Sequence, residues 1–195
     1  MTVESRLSEL IGGSPYGITE GVALGTGIAD GFDLYESALG QVVVTFNLDG
    51  VSSVDLATQG FEDRFTDRFR RSLLRAEAPS EWGRHITAAL EAGQPGKLPV
   101  DLRSVTDFQA DILRSTAAIP RGEVRPYSWL AELAHRPKAV RAAGSAVARN
   151  PIPLIIPCHR VVRADGHIGN YSLGGPHNKT ILLEHEGVDL EALKA

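Results

Sequence analysis

The stretch EAGQPGKLPVDLRS, residues 91–104, places two glycines and two prolines in a span where a regular element would need an unbroken run of hydrogen-bond donors. It sets a boundary near residues 93–103, with one unit over 1–98 and a second over 104–190. A chain of 195 residues has room for one or two small domains, each able to bury a core without disulfides or metal.

The patterning differs on the two sides of that break. Upstream, QVVVTFNLDGVSSVDLA carries a β-branched run, an Asp49-Gly50 turn signal and a weaker second run, which together predict a hairpin. Phe61, Phe65, Phe69 and Leu73 then recur every four residues, which predicts an amphipathic helix with its aromatic stripe in the core. The first half therefore reads as a small α/β unit. Beyond the linker the pattern becomes helical. Val105, Phe108, Ile112 and Leu113 share one helix face, and the pattern stops at Pro120 to Gly122. YSWLAELAH is a second short helix and KAVRAAGSAVARN a third, a pair that resembles a helix-turn-helix. The third helix is rich in small residues (Ala139, Ala142, Ala143, Gly144, Ser145, Ala146), with Arg141 the long cation at its centre. Small side chains admit close approach either to a neighbouring helix or to a DNA minor groove, which is only about 6 Å wide.

Charge sharpens the contrast between the halves. The chain carries −4 overall. Residues 1–100 hold 14 acidic and 8 basic side chains, residues 101–195 hold 10 and 12, and Arg121 to Arg163 alone has eight basic against two acidic. A phosphate backbone responds to that local face. The single cysteine forms no internal disulfide, fits a reducing compartment, and excludes multi-thiolate zinc and iron–sulfur sites. The opening MTVESRLSELIGG has no apolar run of signal-peptide length, and no window reaches membrane-span length, so the expectation is a cytoplasmic protein without a membrane partner.

The lone thiol sits in IPLIIPCHRVV, residues 152–162. Prolines 151, 153 and 157 punctuate what reads as an extended apolar strand, which puts Cys158-His159-Arg160 at a rigid turn or helix start. A lone cysteine is more often an inert small hydrophobe than a nucleophile. Here, adjacent positive charge and a helix start favour thiolate, and His159 is a proton acceptor within reach. Downstream, RADGHIGNYS forms a glycine-rich wall, and the closing helix NKTILLEHEG offers Glu184 and Glu186. They point to different faces, so at most one orients the imidazole.

The stretches IPRGEVRPYSWLA, RAAGSAVARNP, IPCHRVV, GHIGNYS and LLEHEG, in this order and spacing, resemble the O6-alkylguanine-DNA alkyltransferases, the methylated-DNA–protein-cysteine S-methyltransferases. The resemblance covers about residues 104–188. It implies an α+β fold in which a small ribonuclease H-like α/β domain precedes a winged helix-turn-helix-type domain that binds DNA and holds the active site. It also implies roles. Cys158 would accept the alkyl group, and His159, acting through a water and oriented by Glu186, would remove the thiol proton. Tyr127 would donate its hydroxyl to N3 of the departing guanine, and Asn150 would brace the active-site turn. Arg141 would fill the gap left by the rotated-out nucleotide, on a DNA face shared with Ala139, Ala142, Gly144, Ser145 and Arg149. Tyr171, Ser172, Val161 and Lys179 would line the base pocket. The implied partner is double-stranded DNA containing O6-alkylguanine, with O4-alkylthymine a further substrate. The protein would act as a monomer with no cofactor and no metal, each molecule once, because a thioether is a poor leaving group. SLGGPHN, between Tyr171 and Lys179, reads as a loop one residue longer than usual. Two other functions remain open: a lesion-recognition protein that accepts no alkyl group, and a Cys-His-Glu thiol hydrolase.

Overall fold

A computed structural model describes residues 23–194; the expectation of no leader at the N-terminus lies outside the described residues. The fold is mixed α+β. Strands β1 (Ala29–Ser37), β2 (Gly40–Asn47) and β3 (Gly50–Leu56) form an antiparallel meander, and β4 (Ser72–Arg75) joins the other side of β1 in parallel, giving the order β3-β2-β1-β4. The β2-β3 hairpin turns where Asp49-Gly50 predicts it. Gly50 has φ 138°, and a Cβ there would lie 2.5 Å from the Pro99 backbone. That close approach stitches the glycine- and proline-rich linker onto the sheet edge: Val51 N–H donates to the Pro99 carbonyl at 2.9 Å, and Asp101 N–H to the Val51 carbonyl at 2.7 Å. Gly50→Ala should therefore cost about 1–3 kcal/mol of stability, read as a lowered urea midpoint at unchanged slope.

The aromatic stripe is shorter than its sequence period. Helix α1 covers Phe61–Phe69 and stops at Arg70, whose φ of 57° is left-handed and whose N–H returns to the Thr66 carbonyl. The chain then reverses into β4, so Leu73 belongs to a strand and not to the stripe. Phe65 is buried, and Phe61 packs edge-on against Phe32 with ring centroids 5.2 Å apart. Helix α2 (Ser80–Ala92) buries Ile86 and Ala89 and ends at a left-handed Gly93.

In the second half, α3 (Asp107–Ala117) opens with a capping box between Thr106 and Gln109 and buries Ile112 and Leu113. Helices α4 (Tyr127–Leu133) and α5 (Val140–Ala148) pack on it and on each other. The two-residue strands β5 (Arg125–Pro126) and β6 (Val161–Val162) pair in parallel, so the start of α4 lies beside the segment that follows the cysteine. Helix α6 (Gly175–His185) closes the described chain's main body. Val42, Val54, Ile86, Leu113, Leu130, Ile155 and Leu182 belong to one continuous core, so the apolar interior crosses the linker.

Two local expectations are corrected. Residues 151–157 are buried but form turns in place of a strand, with Leu154 at φ 71°, because three prolines remove the donors a ladder needs. In SLGGPHN only Ser172, Leu173 and Gly174 precede the helix. Gly174 is the left-handed N-cap, and Pro176 sits in the first turn of α6, where a missing N–H costs nothing. Among the described residues no helix is long and apolar enough to cross a membrane.

Candidate active site

Cys158 opens a single 3₁₀ turn, Cys158–Arg160, and forms part of the wall of a cleft of about 450 Å³. The turn is fixed by one carboxamide. Asn150 Nδ2 donates to the Ile156 carbonyl at 2.8 Å, and its Oδ1 accepts from Ile152 N–H at 3.0 Å. The same Ile156 carbonyl accepts Cys158 N–H at 2.8 Å. Asn150 is itself buried, so these bonds are made without competition from water.

Burial pushes the Cys158 thiol up, against the opposing pull of Asn150, the Lys179 charge and Ser172. The expectation that local charge would favour thiolate is thus reversed: desolvation outweighs it, and the resting sulfur is a neutral thiol that needs a base. His159 follows Cys158 directly in the same 3₁₀ turn. Its Nε2 lies 2.8 Å from Glu186 Oε1, and burial lowers its pKa, leaving the imidazole neutral near pH 7. With Glu186 ionised, the ring proton belongs on Nε2, where the carboxylate accepts it, and Nδ1 is left as the acceptor; Nδ1 is buried and has no hydrogen-bond partner among the described residues.

Of the two candidate glutamates, the geometry selects Glu186. Helix α6 ends at His185, so Glu186 stands at the C-cap and turns inward, while Glu184 is exposed. Glu186 also receives Arg160 Nε on Oε2 at 2.9 Å and Nη2 on Oε1 at 2.8 Å. Desolvation by burial raises its pKa, but the bonds from His159 and Arg160 overcome that and hold it at about 2. Arg160 is fully buried and spends its remaining donors on the carbonyls of Ile119 (2.7 Å), Gly93 (3.0 Å) and Ala92 (2.7 Å). Sequence reading names Arg160 only as a neighbouring charge; its partners lie 26 to 68 residues away, so no local signal marks its role.

Tyr127 stands half-buried in the cleft wall, with its ring 3.7 Å from where a Cβ on Gly144 would lie; burial raises its hydroxyl pKa. Tyr171 and Ser172 line the same cleft, and the Tyr171 ring meets His159 edge-on at 6.2 Å. Val161 and Lys179 do not: both are buried behind the wall, where Lys179 Nζ donates to the carbonyls of Val161 (2.5 Å) and Ile168 (2.6 Å). Desolvation lowers the pKa of this ammonium to about 8. Arg163, Gly169 and Asn170 also line the cleft, as members of the RADGHIGNYS stretch expected to wall it, although the sequence singles out none of the three.

Helix α5 divides its small residues between the two surfaces left open by the sequence. Ala143 and Ala146 pack inward, whereas Arg141, Ala142, Ser145 and Arg149 are exposed, and Ala139 and Gly144 are intermediate. Among the described residues no group of three His, Cys, Asp or Glu is placed to hold a metal ion.

Residues 107–188 match the family described as 6-O-methylguanine DNA methyltransferase, DNA binding domain. The methylated-DNA–protein-cysteine methyltransferase of Methanosarcina barkeri is 35% identical over 153 residues, 73% of this chain and 89% of the relative. The rat (Rattus norvegicus) protein of the same name is 58% identical over 67 residues, 34% of this chain; that match spans about a third of the rat protein's length, 32%. Mycobacterium tuberculosis OGT, solved in complex with DNA, superposes with a TM-score of 0.64 at 29% identity, covering 84% of this chain and 98% of that one.

Proposed function

The chain belongs to the methylated-DNA–protein-cysteine methyltransferase family, and from that membership we propose that it repairs DNA by moving the alkyl group of O6-alkylguanine irreversibly onto its own Cys158. The observation that carries this reading is the buried neutral thiol at the cleft, followed at once by an imidazole locked on a carboxylate. In this reading the first half has the ribonuclease H-like fold, and residues 104–190 form a winged helix-turn-helix-type domain, the two units meeting near 99–103.

The proposed sequence of events follows from the donors present. Arg141 enters the duplex from the exposed face of α5, occupying the space of the extruded nucleotide, while Arg149 and the small residues Ala139, Ala142, Gly144 and Ser145 let the helix backbone lie against the groove. Extrusion costs a few kcal/mol, offset by these contacts. The base enters between Tyr127 and the Tyr171–Ser172 loop. His159 Nδ1 takes the Cys158 proton through a water, and the sulfur attacks the alkyl carbon. The S–C bond forms, the O6–C bond breaks, and the electron pair leaves with the guanine. A proton from the Tyr127 hydroxyl to N3 offsets that developing charge, and the proton held by His159 returns through solvent to neutralise the phenolate. The sulfur is both nucleophile and final acceptor, so the scheme uses no cofactor and stops after one event. The protein works as a monomer in the cytoplasm in this scheme.

Incubating the protein with a duplex carrying one O6-methylguanine, then mapping peptides by mass spectrometry, tests the reading. One methyl group per protein on the Cys158 peptide, with guanine restored, is the expected result. Tight binding with no adduct would replace it with the lesion-recognition reading.

The pH dependence separates base-assisted attack from simple thiolate titration. His159 titrates below its usual value near 6.5. The saturating transfer rate should therefore be level near pH 7 and fall only at more acid pH, as the imidazole becomes protonated. Lys179, with a pKa of about 8, loses its charge above that pH, and an alkaline decline should follow. A rate that climbs tenfold per pH unit through pH 8 to 9, about the behaviour of an unassisted thiol, would contradict His159 as the base.

A further inference from the structure

The family match begins at residue 107, and none of the groups assigned above to the chemistry comes from the chain before it. The first half nonetheless grips the cysteine turn at both ends. Upstream, Arg68 on α1 donates from Nη2 to the carbonyl of Arg149, the C-cap of α5, at 2.6 Å. Next to it, Val54 N–H on β3 donates to the Pro151 carbonyl at 3.0 Å. These two bonds bracket Asn150, whose carboxamide shapes the turn. Downstream, the last carbonyls of α2, Ala92 and Gly93, accept from Arg160, and a Cβ on Gly93 would run into that guanidinium.

The geometry points to Arg68 as a positioning residue for alkyl transfer, a role that rests on the proposed reading of the cleft. Residue 149 ends the helix laid on DNA, and residue 150 begins the brace of the thiol. A shift at this junction changes the distance between the presented base and Cys158 Sγ. In-line displacement is sensitive to that distance: misplacement by about 1 Å costs on the order of 100-fold. The Arg149 carbonyl is among the helix-end acceptors that no intrahelical donor reaches, and a cation there also complements the helix dipole. Arg68 is held for the task by the Phe69 ring, 5.0 Å from its guanidinium carbon. It is exposed, so its removal does not open the core.

The experiment is single-turnover transfer from an O6-methylguanine duplex over a range of DNA concentrations, with wild type, Arg68→Ala and Arg68→Lys. Arg68→Ala should lower the saturating rate constant by about tenfold or more, while the half-saturating DNA concentration stays within about twofold. Arg68→Lys keeps a donor for the carbonyl and should recover at least half of the lost rate on a logarithmic scale. An unchanged saturating rate in Arg68→Ala overturns the inference, and so does a rise in half-saturating DNA alone, which would make Arg68 a phosphate contact. Failure of the wild type to acquire an adduct on Cys158 would instead remove the reading underneath.

Discussion

Cys158→Ala should abolish alkyl transfer completely, with affinity for duplex DNA carrying O6-methylguanine kept within about twofold and stability changed by no more than about 1 kcal/mol. Each part of that result has a separate origin. The sulfur is the atom that forms the new bond, and among the described residues no other cysteine exists to take the group. Affinity is preserved because the surface assigned to DNA is the outer face of α5, which makes no use of the thiol. Stability is preserved because the turn is held by Asn150 and by backbone bonds, both of which survive loss of the sulfur. Gel-shift titration, peptide mass spectrometry and thermal unfolding read the three quantities independently. Residual methyl transfer to another site in Cys158→Ala would remove the sulfur from its assigned role.

How much of this was legible in the sequence depends on the range of the interactions involved. The hairpin was legible because Asp49-Gly50 specifies a turn within four residues, and the helices of the second half because their apolar period is local. Strand β1 was not. Its first four residues, Ala29 to Phe32, are all buried, and Asp30 among them is tolerated inside only because Ser52, Asn47 and Arg71 approach it from elsewhere in the chain. The end of α1 was hidden for a related reason: the four-residue apolar spacing continues through Leu73, while the left-handed Arg70 breaks the helix beneath it. At the site, the adjacency of cysteine and histidine was plain; the helix pattern alone left Glu184 and Glu186 both open, and it was the family resemblance that implied Glu186. Pattern could not anticipate that burial would raise the thiol, or that Lys179 would turn to backbone carbonyls behind the cleft. Desolvation depends on the whole surrounding fold.

The same long-range wiring makes Glu186 the residue whose loss should be felt most widely. Glu186→Gln should lower the transfer rate by on the order of 100-fold or more and lower the unfolding free energy by about 3–5 kcal/mol. The kinetic part arises because a neutral amide no longer stabilises the imidazolium and its orientation is set by a weaker bond. The stability part arises from Arg160: its charge has no solvent exposure, and among the described residues Glu186 is its one anionic partner, through two contacts of 2.8 and 2.9 Å. Removing one member of such a pair leaves the other buried and uncompensated, which costs more than the pair contributed. The pH sign follows from the lowered carboxylate. Glu186 titrates near 2, below its ordinary 4.5, so its contribution to stability is present above pH 4.5 and lost as pH falls toward 2. In Glu186→Gln that part of the acid-induced loss should disappear. The double variant Arg160→Met with Glu186→Gln separates the two effects. It removes the orphaned charge and should recover part of the stability, yet the imidazole still lacks its carboxylate and transfer should stay slow. Recovery of the rate in the double variant would show that the carboxylate serves Arg160 alone and that His159 orients without it.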